Sequence, residues 1–368
     1  MIGNAAVSRL VAARGQRTPA VRIARLVDPD SPSYLRGYNE GIGSGEANPG
    51  PLDGDALDSY NEGYRRGAAE AKSTKTSQPP VDKPAPVTPQ AIEWDNPYLE
   101  TIYEANKPGR PDQLAALKTL DGPPRTGVWA QLTWGKLVKS AGERIYNPNM
   151  MAQGTLGTCG PATVLNFLGT NDPGAYAALV ISVFVSGKAK GYAVNSKLRG
   201  AAPQGGMDPL DWMMMSAIQD VQNDWYDFHG TAEGVESKRE GTGSSDQRWM
   251  YKKIAGAAEA ETIDTPKSKD VLPAARRVNG VVSNPGVAVN MHLSAAVLQN
   301  AASAENKRNH VIRLLKPIAI TEDADDSKSR VEFEAFTWGQ VYPWKGTVGQ
   351  FQHMMWAFTI ASMKKGVI

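Results

Sequence analysis

Five prolines, Pro79, Pro80, Pro84, Pro86 and Pro89, fall among lysine, serine, threonine and glutamine in residues 72–90. A segment so composed cannot bury enough apolar surface to offset its own ordering entropy, so a semi-extended linker is expected at 72–94. All nine tryptophans follow residue 93. Because large aromatic side chains dominate core burial, one globular domain is expected over 95–368, behind a flexible leader at 1–71.

The leader carries two motifs. Ser33–Gly41 and Ser59–Gly67 both read S-Y-x-x-G-Y-x-x-G. The i, i+4 tyrosines would share one helical face, which suits a paired docking element; the alternative is a low-complexity leader, since the glycines weaken any helix. The first 27 residues hold five arginines and no acid, but no apolar run long enough for a secretory signal. They read as a basic tail, and they also resemble a mitochondrial transit peptide.

Composition excludes several classes of function. Forty basic against 38 acidic residues, a net charge of +2, leaves no electrostatic footprint for nucleic acid over the whole chain. The most apolar stretch, Tyr176–Val185, is half the roughly 20 residues a spanning helix needs, so it is expected to be a buried core element and no membrane span is expected. One cysteine in 368 residues rules out a disulfide framework, a thiolate zinc cluster and a CxxC pair. No P-loop, no Rossmann glycine pattern after a strand and no HExxH occurs, so neither cofactor nor metal is expected. The acidic stretch 321–327 reads as a solvated turn, because no bidentate Glu follows at EF-hand spacing.

The lone thiol sits in the most informative segment, Gln153-Gly-Thr-Leu-Gly-Thr-Cys159-Gly-Pro-Ala-Thr-Val-Leu-Asn-Phe-Leu-Gly169. A glycine-rich loop leads into Cys159. Pro161 stands where a first helical position accepts it, and an apolar run continues to a stop at Gly169. At a helix N-terminus the free N–H groups favour an anion, which predicts a depressed thiol pKa. Gln153, 159 − 153 = 6 residues earlier, would join the Cys159 N–H in holding an oxyanion.

These residues resemble the papain-like cysteine peptidases, whose active-site loop has a Gln six positions before the nucleophile and a C-G-[SA]-C-[WY] signature. Here Leu156-Gly-Thr-Cys-Gly160 keeps the glycine, a small hydroxyl residue and the nucleophile, but has Leu for the first Cys and Gly for the aromatic. Loss of the first Cys suits a reducing cytosol. The Cys-Gly-Pro-Ala start looks more like the bacterial branches than the lysosomal one.

The family's base lies about 130–150 residues downstream. His292 is at 292 − 159 = 133 and His310 at 310 − 159 = 151. Asn309-His310 opening an aliphatic strand resembles the family's N-H-A-V, whereas Asn284–Leu293 resembles the preceding G-P-V-x-V strand. His310 is therefore taken as the base and His292 as structural, with His229 and His353 as ordinary residues. In place of the family's N-S-W-G the chain has Phe336-Thr-Trp-Gly339, with Phe336 at the asparagine position. Thr337 is the candidate orienter of His310, with Gln340 and Glu334 as alternatives, or no orienter at all.

The resemblance, over about 150–345, implies an α+β papain-like fold, with a helical subdomain carrying Cys159 and an antiparallel, barrel-like β subdomain carrying His310. Substrate would lie between them. Separately, Gly3–Val11 (GNAAVSRLV) resembles the start of proteins encoded with bacterial extracellular contractile injection systems. That implies a toxin or effector loaded through its leader in the bacterial cytoplasm and delivered to a target-cell cytosol, where it cleaves a protein substrate. A deamidase or acyltransferase using the same nucleophile, and a particle-associated structural protein with an inert cysteine, stay open. Two other stretches have plain readings: the Met213–Met215 run as core or an adaptable groove wall, and residues 236–248 as a charged, exposed loop.

Overall fold

The computed structural model describes residues 92–368 except 108, 155, 205, 224–227, 229–241, 299–308 and 326–327. The leader with its tyrosine duplication, the Gly3–Val11 stretch, the proline-rich segment through residue 91 and His229 lie outside the described residues. Packing is already present at Trp94, whose ring lies 5.4 Å from that of Tyr103 and 4.0 Å beneath the Lys118 ammonium.

The fold is α+β, helices first and antiparallel sheet after. The helical part comprises α1 (Pro97–Ala105), α2 (Pro111–Leu120), α3 (Trp134–Tyr146), α4 (Cys159–Asn171), α5 (Pro173–Ser186), a small hairpin of β1 (Lys188–Ala189) and β2 (Tyr192–Ala193), α6 (Pro209–Gln222) and α7 (Ser244–Lys253). The sheet follows as β3 (Glu259–Asp264), β4 (Val287–Leu293), β5 (His310–Leu314), β6 (Ala319–Thr321), β7 (Arg330–Thr337), β8 (Gln340–Thr347) and β9 (Met355–Ser362). Helices α8 (Ser268–Asn279) and α9 (Val348–Met354) are interleaved with these strands. Among the described residues no helix is long and apolar enough to cross a membrane.

Helix starts follow local chemistry. Asn96, Asp172 and Asp208 accept backbone N–H groups from Tyr98, Ala175 and Leu210 at 3.0, 2.8 and 2.9 Å. Each is followed by a proline, whose missing N–H is no loss at that position. In α5 the apolar stretch buries Tyr176, Leu179, Val180, Val183 and Phe184, and the helix closes on Gly187 at φ 62°. Helix α4 is buried from Cys159 through Gly169, as a helix that is apolar all round must be. It packs on α5, α6 and α7 on one side and on β5 and β7 on the other.

Helix α4 runs on to Asn171 instead of stopping at Gly169. The reason is proximity: a Cβ at Gly169 would lie 3.2 Å from Met151 Cε and 3.4 Å from Pro148 Cγ, so this glycine admits the 3-10 turn Pro148–Met150. Of residues 236–248, only 242–248 lie among the described residues, and these differ from the exposed loop expected of them. Thr242 and Gln247 are buried, and α7 begins at Ser244. The Met213–Met215 run is fully interior.

Strand order is β3-β9-β4-β5-β7-β8, with β6 continuing beside β7 where β5 ends. The sheet stays open, not barrel-like, with β3 and β8 at its edges. Pro343 and Lys345 lie on the outer strand β8, residues that keep an edge from pairing further. Alternation along β4 assigns its two faces. Val287, Val289, Met291 and Leu293 enter the core beneath α8 and α9, whereas Ala288 joins the core of the helical part. On the helical face Asn290 accepts from Tyr251 Oη at 3.1 Å and donates to Thr163 Oγ1 at 3.2 Å.

Candidate active site

Cys159 is the first residue of α4 and is 3% exposed. The approach to it is held from several sides. Thr158 Oγ1 lies 3.7 Å from Met215 Sδ, and a Cβ on Gly160 would run into the Thr242 side chain. The Gly160 carbonyl accepts from Thr163 Oγ1 at 2.8 Å and from Gln247 Nε2 at 3.3 Å. The backbone N–H groups of Val311, Gly160 and Cys159 itself favour the thiolate electrostatically. The first belongs to β5, one residue after His310, so the helix that carries the thiol and the strand that carries the imidazole meet at this point.

His310 opens β5 and is also 3% exposed. Its Nε2 lies 2.7 Å from Thr337 Oγ1. The Trp338 indole stacks on the ring, with centroids 4.6 Å apart and planes 11° from parallel. Thr337 ends β7, and Trp338-Gly339 forms the two-residue connection to β8 with φ 50° and 73°. Positive φ at both central residues belongs to the tight hairpin turns that match strand twist. It is uncommon for a bulky residue, and here it lays the indole over the imidazole.

That turn abuts the loop before Gln153. A Cβ on Gly339 would stand 2.8 Å from Ala152 Cβ, and the Ala152 N–H donates to Asp211 Oδ2 at 2.9 Å. Asp211 in turn takes a two-point contact from buried Arg144, Nε at 3.2 Å and Nη2 at 2.9 Å. The loop is thus tied to an ion pair in the helical core. Gln153 is 6% exposed, and its Nε2 lies 3.4 Å from the Leu156 carbonyl, within its own loop.

Electrostatics overturn one expectation. Burial pushes the Cys159 thiol above its ordinary pKa, against the smaller opposing effect of the three N–H groups. Burial likewise holds His310 down to about 3. Desolvation disfavours whichever form is charged, so the resting pair is neutral thiol and neutral imidazole, not the thiolate expected from the helix N-terminus alone. Among the described residues no hydrogen bond joins the sulfur to His310 Nδ1.

The remaining candidates lie elsewhere. His292 is fully buried, its Nε2 is 2.8 Å from Thr359 Oγ1, and its Nδ1 has no partner among the described residues. It stands opposite Val311 in register, yet makes no hydrogen bond to the sulfur. Glu334 pairs with Lys316 at 2.9 Å instead of with His310. Gln340 pairs across the turn with Thr337 in register. His353 is exposed on α9. Among the described residues no group of three His, Cys, Asp or Glu is placed to hold a metal.

Thr242, Gln247 and Asp211 escaped sequence reasoning. The first two sit in what reads as charged loop, and only the Ser244-Ser-Asp246 start of a helix hinted otherwise. Compared with known proteins, the chain matches no family model and no curated sequence.

Proposed function

We propose that this chain is a papain-like thiol hydrolase of the bacterial type, acting on an amide of a protein substrate through Cys159 and His310. The observation that carries the reading is the placement of His310: Nε2 on Thr337, ring under Trp338, at the start of the strand that packs on the Cys159 helix. With Nε2–H donating to Thr337 Oγ1, the Nδ1 lone pair is the one available to a thiol. In the reaction, Nδ1 takes the Cys159 proton as sulfur attacks the carbonyl carbon. The oxyanion is held by the Cys159 N–H, with the Gln153 amide as second donor once it turns from Leu156. The imidazolium then protonates the departing amine. Finally His310 deprotonates a water that attacks the thioester, which releases the acid and restores the thiol.

The Gly3–Val11 resemblance supports a cargo role: loading into a contractile injection particle through the leader, then action in a target-cell cytosol. Absence of any disulfide partner for Cys159 suits both reducing compartments.

A second reading has a specific observation behind it. Burial and a raised pKa equally describe an inert packing thiol. The test is incubation of the whole chain with a target-cell lysate, followed by N-terminal and intact-mass analysis, beside Cys159→Ala. New protein N-termini that depend on Cys159 support peptidase action. A one-dalton gain on glutamine replaces it with deamidation, and no Cys159-dependent product leaves the inert thiol.

A further inference from the structure

Arg313, on β5 three residues beyond His310, is 7% exposed and burial lowers its pKa. The contrast with Arg144 is direct. Arg144 is just as buried but meets the Asp211 carboxylate at two points, whereas Arg313 meets no carboxylate among the described residues. Its Nη1 donates to Asn166 Oδ1 and, at 3.3 Å, to Thr170 Oγ1. Its guanidinium lies 5.4 Å from the Phe167 ring centroid, and its Nε is buried without a partner.

A charge held in the interior without a counter-ion weakens the fold relative to an apolar side chain of similar size. What the charge supplies that a methionine does not is direction. Asn166 passes the contact on, its Nδ2 donating to Asn149 Oδ1 at 3.0 Å. One chain of bonds therefore links β5, α4 and the 3-10 turn Pro148–Met150, the segments that carry His310, Cys159 and, three residues beyond the turn, Gln153.

The spacings agree along both elements. Cys159 to Asn166 is seven helical residues, about 10.5 Å, and His310 to Arg313 is three strand residues, about 10 Å. The Arg313–Asn166 bond and the meeting of Cys159 with the start of β5 are thus two rungs between the same helix and strand. We infer that Arg313 is a positioning residue, whose bond to Asn166 sets the register of β5 on α4 and so the approach of His310 to the Cys159 thiol. The inference rests on the thiol-hydrolase reading above.

The test measures alkylation of Cys159 by iodoacetamide from pH 5 to 10, alongside urea unfolding, in the full chain and its His310→Ala, Arg313→Met, Arg313→Lys and Asn149→Ala variants. Arg313→Met is expected to unfold at the same or higher urea, yet to react about tenfold more slowly at pH 7, with a pH profile shifted toward that of His310→Ala. Arg313→Lys, which keeps a donor, should recover part of the rate. A wild-type rate and profile in Arg313→Met overturns the inference, as does slowing that merely follows lost stability. If Arg313→Met does not fold, Asn149→Ala decides: it cuts only the outermost bond and is expected to slow alkylation about threefold, and an unchanged rate overturns the inference. An effect of His310→Ala without one of Arg313 defeats the inference alone, whereas no effect of His310→Ala defeats the reading beneath it and the inference with it.

Discussion

His310 Nε2 and Thr337 Oγ1 are 2.7 Å apart, in a bond that Trp338 covers with its stacked ring. One threonine hydroxyl thereby engages Nε2 of a buried imidazole at the start of the strand that packs on the thiol-bearing helix, and leaves Nδ1 as the nitrogen not bound to Thr337.

Replacing Thr337 by valine keeps the shape and removes that acceptor. A neutral hydrogen bond contributes about 0.5–1.5 kcal/mol, so the rate of Cys159 acylation by an activated ester is expected to fall about tenfold. The urea midpoint should fall as well, by the equivalent of about 1–3 kcal/mol, because a buried ring nitrogen is left unpaired. Thr337→Asn, which places an amide beside His310, should retain more activity than valine.

Acid sensitivity follows from two buried histidines. His292 and His310 are both held down to about 3 by burial, against about 6.5 in an unfolded chain. Between these values the unfolded chain binds protons that the folded chain does not, so stability is full above about pH 6.5 and falls as the pH drops toward 3. Each imidazole contributes a slope of about 1.4 kcal/mol per pH unit. Urea unfolding at pH 7, 6 and 5 measures it, and His292→Gln should remove roughly half the slope.

The Arg144–Asp211 pair is also a stability statement. Asp211→Asn removes the two-point carboxylate contact of buried Arg144, leaving it Glu143 at 3.2 Å and Asp208 at 3.7 Å, and weakens the anchor of Ala152. The cost is expected to be about 1.5–3 kcal/mol, the scale of hydrogen bonds to a charged group, read as a lowered urea midpoint. Arg144→Met/Asp211→Leu together should cost far less.

Gly160 tests the packing at the head of α4. Gly160→Ala would force its methyl into Thr242, and overpacking of this kind costs about 1–3 kcal/mol. Thr242→Gly in the same chain should restore much of that loss, as chemical denaturation of the two variants will establish.

The Pro161-containing helix start and the apolar run after it marked α4 in the sequence, because caps and burial are local signals. The start of β5 at His310 was legible for the same reason. What could not be read is whatever depends on through-space packing. The depressed thiol pKa expected from the helix N-terminus ignored the desolvation that α6, α7 and β5 impose together. Thr337 stood in the right segment, but choosing it over Gln340 or Glu334 required the hairpin turn that sends Trp338 out of strand alternation. The glycine at 169 resembled a stop signal because nothing in its neighbours reveals that Pro148 and Met151 press against it.

The central claim, that Cys159 reacts because His310 takes its proton, is met most directly by the pH 7 rate of Cys159 alkylation by iodoacetamide in the wild-type chain and in His310→Ala, both verified as folded. The account predicts labelling at Cys159 in the wild type and a rate at least about a hundredfold lower in His310→Ala, the scale of general-base assistance. Equal rates in the two proteins, or no labelling of the wild type, would contradict it.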